Sequence, residues 1–122
     1  MSWIKGVGVV KSIYVYRHKN FFRKMELAKT FEELQRGLLG RTTAGSGLFL
    51  MGATSIHTFG MKFPIDVVYL NANGMVLAGE ERLLPNQQGK TYLGVAHIVE
   101  LNAGTIRRYH IKVGERWAWK TA

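Results

Sequence analysis

The sequence predicts an α+β fold: a compact, mostly antiparallel, barrel-like β-sheet with one clear helix at about residues 31–39 and a candidate short second helix at about 105–111. Three observations carry this. Short runs rich in β-branched and aromatic residues recur along the chain, separated by turn residues. The segment NANG at 71–74 is a hairpin turn with the strong Asn-Gly signal. A single segment after Thr30 has helical periodicity with a matching cap. Many short strands and one well-marked helix belong to a sheet-dominated α+β domain. With 122 residues, 47% of them hydrophobic and 20% charged, the chain is one domain over 1–122 with a core of ordinary size.

VGVVKSIYVYR, 7–17, is the first predicted strand, and HKN at 18–20 turns into a second, FFRKMELA at 21–28. Thr30 and Glu33 have capping-box spacing, each side chain satisfying a backbone N–H that the helix leaves open. Phe31, Leu34 and Leu38 fall on one helical face, the acidic Glu32 and Glu33 sit at the positive end of the dipole, and Gly40 suits the left-handed stop. TTAGSG is a loop, and GLFLMG at 47–52 is a short strand. Pro64 forces an extended approach to IDVVYL, 65–70, which pairs across the Asn-Gly turn with MVLAGEERLL, 75–84. PNQQGKTYLG, 85–94, is a polar loop long enough to bind or move. VAHIVEL, 95–101, is a strand. TIRRYHI, 105–111, fits a short helix capped by Thr105, while YHIKV within it alternates like a strand; ERWAWK, 115–120, closes the chain as a strand.

No cysteine is present, so disulfides and thiolate chemistry are excluded. No apolar run approaches the length of a membrane span, and the N-terminus lacks the usual signal pattern, so the expected location is cytoplasmic. The net charge of +9, from 17 basic and 8 acidic residues, would attract nucleic acid, acidic lipid or an acidic protein.

GLLGR at 37–41, GLFLM at 47–51, HTFGMKFPIDVVYLNANG at 57–74, and VELNAG at 99–104 followed by VGE at 113–115 occur in an order that resembles domain-of-unknown-function family 192, over about residues 24–119. The central motif is a variant, with Phe59-Gly60 before Met61-Lys62 where the family usually has Trp-Met-Lys-Asn. The resemblance implies a compact β-rich fold and favours a helix at 105–111. It implies no catalytic residue, cofactor or substrate.

HTFGMKFPID, 57–66, concentrates the side chains whose types a strand entry does not demand. Asp66 is the only aspartate of the chain. At the head of an apolar strand its carboxylate needs partners, such as Lys62 or loop backbone N–H groups, unless it anchors a ligand or acts as a base. His57 is a candidate general base. His57 with Met61 offers a nitrogen and a soft sulfur to copper, too small a set to predict a metal site. Glu100 either faces Asp66 or Lys62 across a cleft, as in acid/base pairs, or pairs with Arg41 or Arg108. G-x-S-x-G, P-loop, G-x-G-x-x-G and H-E-x-x-H motifs are all missing. The expectation is therefore a small binding or accessory module without cofactor. In it His57, Lys62, Asp66 and Glu100 orient a small polar ligand or a protein partner, and Phe59, Met61 and Phe63 supply apolar contact. A hydrolase-like enzyme using Asp66, Glu100 and His57 is the alternative. Nucleic-acid binding through the basic aromatic stretches 18–24 and 107–112 is a second, less favoured one.

Overall fold

The computed structural model describes residues 11–122. In chain order the elements are β1 (Ser12–Arg17), β2 (Asn20–Ala28), α1 (Phe31–Arg36), β3 (Leu48–Met51), β4 (Ile65–Leu70), β5 (Val76–Leu83), β6 (His97–Asn102), α2 (Thr105–Arg108) and β7 (Trp117–Thr121). The strands form one sheet in the order β5-β4-β6-β3-β2-β1-β7. Every pairing is antiparallel except β2 with β3, and that parallel pair is joined by the α1 crossover its geometry requires.

The sheet is compact, and one end of it nearly meets itself. Met75 and Arg116 form an isolated bridge beside the two edge strands, and the Trp117 N–H donates to the Gly74 carbonyl at 2.7 Å. Gly74 permits this approach: a Cβ there would lie 2.0 Å from the Trp117 carbonyl oxygen. Apart from this stitch β5 and β7 do not pair, so the sheet is not closed into the barrel that the sequence suggested.

β4 is buried along its whole length because both of its faces are covered, which is why IDVVYL reads as a continuous apolar run. One core cluster draws on all seven strands: Ile13, Val15, Met25, Phe49, Val68, Leu70, Val76, Val99, Leu101 and Trp117 belong to it, with Ile106 of α2. The other lies across the sheet, where Val67, Tyr69, Ile98, Leu48 and Leu50 are covered by Leu38, Ile56, Met61 and Val95 from connecting segments.

Two helix boundaries are shorter than predicted. α1 ends at Arg36, not near 39, because Gly37 takes φ 47° and ψ −125°, which stops the helix. Leu38 is thereby turned into the core, and Phe31 is left 77% exposed instead of sharing its face. α2 spans only Thr105–Arg108, with Tyr109 leaving the helix. The predicted first strand begins at Ser12, and its residues 7–10 lie outside the described part. Among the described residues no helix is long and apolar enough to cross a membrane.

Candidate functional site

Glu100 is the centre of the site. It lies in β6, opposite Leu48 of β3 and Val67 of β4, so its side chain points to the face covered by α1 and the loops. Only 3% of the residue is exposed, and its Oε1 has no hydrogen-bond partner. Burial in this apolar frame raises its pKa to about 7, because the charged form loses hydration without gaining a counter-ion. Neither basic residue proposed from sequence neutralises it. Arg41 is instead engaged by both carboxylate oxygens of Glu26, and among the described residues Glu100 forms no ion pair.

The carboxyl group opens into a cavity of about 370 Å³. Its walls are the end of α1 and the turn after it (Leu34 to Leu39), the segment Gly52–His57 after β3, and Leu50, Met61 and Gln88. Gly37 stands directly against the carboxyl, since a Cβ there would be 3.7 Å from Glu100 Oε1. The capping box holds α1 in place: the Glu33 N–H donates to Thr30 Oγ1, and Glu33 Oε1 accepts from the N–H groups of Thr30 and Lys29 and from Lys11. Burial acts to raise the Glu33 pKa, but these donors outweigh it and bring the carboxyl down to about 2. On the opposite wall the Gly52 N–H donates to His97 Nδ1 at 3.0 Å. Desolvation lowers the pKa of His97, which keeps the ring neutral and able to accept that bond.

Tyr69 shares the sheet face of Glu100 but is committed elsewhere. Its hydroxyl donates to Glu80 Oε1, which also accepts from the Lys90 N–H at 3.0 Å. Burial, and then the Glu80 carboxylate, push the phenol pKa upward, so Tyr69 stays protonated.

The family model of DUF192, "Uncharacterized ACR", matches residues 14–119. The chain belongs to DUF192. Two solved structures share the fold of this DUF192 chain. A protein of unknown function from Novosphingobium aromaticivorans is 20% identical, with a TM-score of 0.73 over 88% of this chain and 84% of its own. A candidate transcription regulator from Sinorhizobium meliloti is 20% identical, with a TM-score of 0.71 over 91% of this chain and 94% of its own. No curated protein matches the sequence.

Within this DUF192 chain the residues singled out from sequence separate into two groups. His57 and Met61 line the cavity with Glu100. The His57 ring stacks on Phe59 at 4.8 Å, its Nδ1 accepts from the Phe59 N–H at 3.2 Å, and Phe59 itself is half exposed. Lys62 is exposed and Phe63 packs against the core; neither lines the cavity. Asp66 lies on the opposite face of the sheet, because it registers with Leu101 while Glu100 registers with Val67. The two carboxylates therefore do not share a cleft. Asp66 Oδ1 accepts from the Arg82 N–H at 2.9 Å, and Oδ2 accepts from the N–H groups of Gly104 at 3.1 Å and Ile106 at 2.9 Å. It ties the start of α2 to β4 and β5, as a buried carboxylate given backbone donors can.

Leu34, Gly37, the Gly52–Ser55 segment and Gln88 belong to the cavity but were not singled out by sequence reasoning. The signal that pointed nearest was the glycine pair in GLLGR. Either glycine suits a helix stop, and only the position of α1 over β6 shows that Gly37 faces Glu100. Among the described residues no group of three or more His, Asp or Glu could hold a metal.

Proposed function

We propose that this DUF192 chain is a small-ligand-binding accessory module whose cavity takes a compact molecule, or a peptide side chain, with an apolar body and a protonated amine or guanidinium. The unpartnered carboxyl oxygen of Glu100 on the cavity floor carries this reading. A buried carboxylate without a partner is costly, and a ligand cation beside it would offset that cost. Leu34, Leu38, Leu50 and Met61 suit the apolar body, and His57, stacked on Phe59, lines the cavity beside them. The stretch 57–66 thus contributes His57 and Met61 to the site, while Asp66 serves the scaffold.

Chemical-shift mapping with short alkylamines, alkylguanidines and their neutral amide analogues tests the proposal. Amines and guanidines are expected to shift Gly37, Gly52–His57, Met61 and Glu100, and to bind more tightly as pH rises through 7 and Glu100 ionises. Equal binding by Glu100→Gln, or no response at these positions from any probe, would overturn it. The raised pKa of Glu100 also suits a general acid or base. A hydrolase reading would rest on Glu100 with His57 alone, because Asp66 is committed to backbone donors. Turnover of a chromogenic ester that is lost in Glu100→Gln would favour it.

A further inference from the structure

The two basic, aromatic stretches of the sequence, 18–24 and 107–112, are far apart in the chain but meet at one end of the sheet, away from the Glu100 cavity. Arg17 is the joint: its guanidinium holds Glu115 through two bonds, of 2.9 and 2.6 Å, and donates to the Tyr109 carbonyl at 3.0 Å. The His18 N–H donates to the Arg116 carbonyl at 2.9 Å. Phe22 meets Tyr109 edge to face at 5.2 Å, and the Arg23 guanidinium lies over both rings, 4.4 and 4.9 Å from their centres. Arg108 approaches the Tyr109 ring at 5.6 Å.

The acidic groups here are already engaged. Glu115 is neutralised by Arg17, and Glu81 lies 3.6 Å from Arg107. His18, Lys19, Arg108, Lys112 and Arg116 are exposed and form no ion pair among the described residues. Phe21, 58% exposed and packed on Tyr14 and Tyr16, stands at the hairpin tip beside Arg17 and His18, and Tyr109 is 37% exposed.

The hairpin turn adds a second, independent observation. His18 and Lys19 connect β1 to β2 with φ of 49° and 70°. Two successive positive φ values in a tight hairpin favour Asn-Gly. Here the strained positions carry two cation-forming side chains instead. Side chains held in such sparsely populated backbone regions cluster at functional sites.

We infer that this end of the molecule binds single-stranded nucleic acid, a site separate from the cavity. Guanidiniums held over rings present donors to phosphodiester oxygens, and the exposed ring of Phe21 offers a stacking platform to an unpaired base. A duplex hides its base faces and would gain only the charge attraction. An anionic membrane would be served by lysines and a projecting apolar segment, whereas these arginines are pinned on rings.

Fluorescence anisotropy with labelled oligouridine and oligothymidine, a DNA duplex of equal length, and phosphatidylserine vesicles as competitor tests this on the full chain. Single strands are expected to bind more tightly than the duplex. Affinity should fall with salt along a log–log slope of roughly −3, as about four phosphate contacts require. Phe21→Ala should weaken binding roughly tenfold with the salt slope unchanged, as loss of one stacked base predicts. Replacing His18 and Lys19 by Asn and Gly should flatten the slope while leaving the fold as stable or more so, which a purely structural turn would not do. Glu100→Gln should bind oligonucleotide normally, so failure of the cavity proposal is read separately. The inference is overturned if single strands do not bind, if the duplex binds equally well, if vesicles are preferred, or if both turn and ring variants bind like the parent.

Discussion

Glu100 and Asp66 are two buried carboxyl groups on adjacent strands with opposite fates. Three backbone N–H groups surround Asp66 and none reaches Glu100 Oε1. Asp66→Ala leaves those donors unsatisfied in the core and is expected to cost about 3–5 kcal/mol in urea denaturation, with α2 frayed. Glu100 acts in the other direction. Its folded pKa, about 7, lies above the ordinary value of 4.5, so the folded state holds the proton more tightly than the unfolded chain. The contribution of Glu100 to stability should be fully present below about pH 4.5, be lost as pH rises to 7, and leave the fold less stable above that by about 3 kcal/mol. Glu100→Gln should flatten this profile and be the more stable form at pH 8, measured by thermal unfolding across pH. At this scale the sequence left Asp66 between a ligand anchor and a partner for Lys62 or backbone N–H groups, and backbone N–H groups are what it holds. The isolation of Glu100 was not legible. Strand alternation gave it only a face, and its partners depended on where Arg41 and α1 settle. Arg41 settles on Glu26.

Local sequence signals decide most of the elements. The capping box at Thr30 and Glu33 is formed as its spacing predicts, and the Asn-Gly turn lies between β4 and β5. The helix ends were harder to read because several residues in each segment satisfy the same rule: Gly37 and Gly40 both have positive φ, and the chain takes the earlier one as its stop. The ambiguity at 105–113 is resolved by Asp66, whose Oδ2 gathers the N–H groups of Gly104 and Ile106 and so fixes the turn that starts α2. α1 is only six residues long and has no buried residue, so its cap carries an unusual share of its order. Thr30→Ala is expected to cost about 1 kcal/mol and to weaken amine binding in the cavity, because Leu34 and Gly37 form its wall. Global stability and affinity can be read from one titration series followed by chemical denaturation.

The whole molecule is a sheet with a core on each side, and β4 divides them residue by residue. Val67 belongs to the cluster that floors the cavity and Val68 to the cluster that draws on every strand. Truncating either to Ala should cost about 1–3 kcal/mol. Only Val67→Ala should change ligand affinity, since its neighbours include residues of the cavity wall; a matched pair of urea and binding titrations checks this. The α+β class and the mostly antiparallel sheet were legible because strand runs and turns are local. Closure was not, since it depends on how far the seven strands curl. They curl until Met75 and Arg116 meet and no further.

That incomplete closure has a consequence for how the molecule breathes. β4 and β6 each have a strand on both sides, but β5 and β7 are held to one another only at the Gly74–Trp117 end. Opening the seam costs a few backbone bonds; pulling β4 from β6 costs a full ladder. In deuterated water the amides of Val76, Gly114 and Trp117 should therefore exchange well before those of Val68 and Val99, with fluctuations unzipping the molecule along a fixed hem.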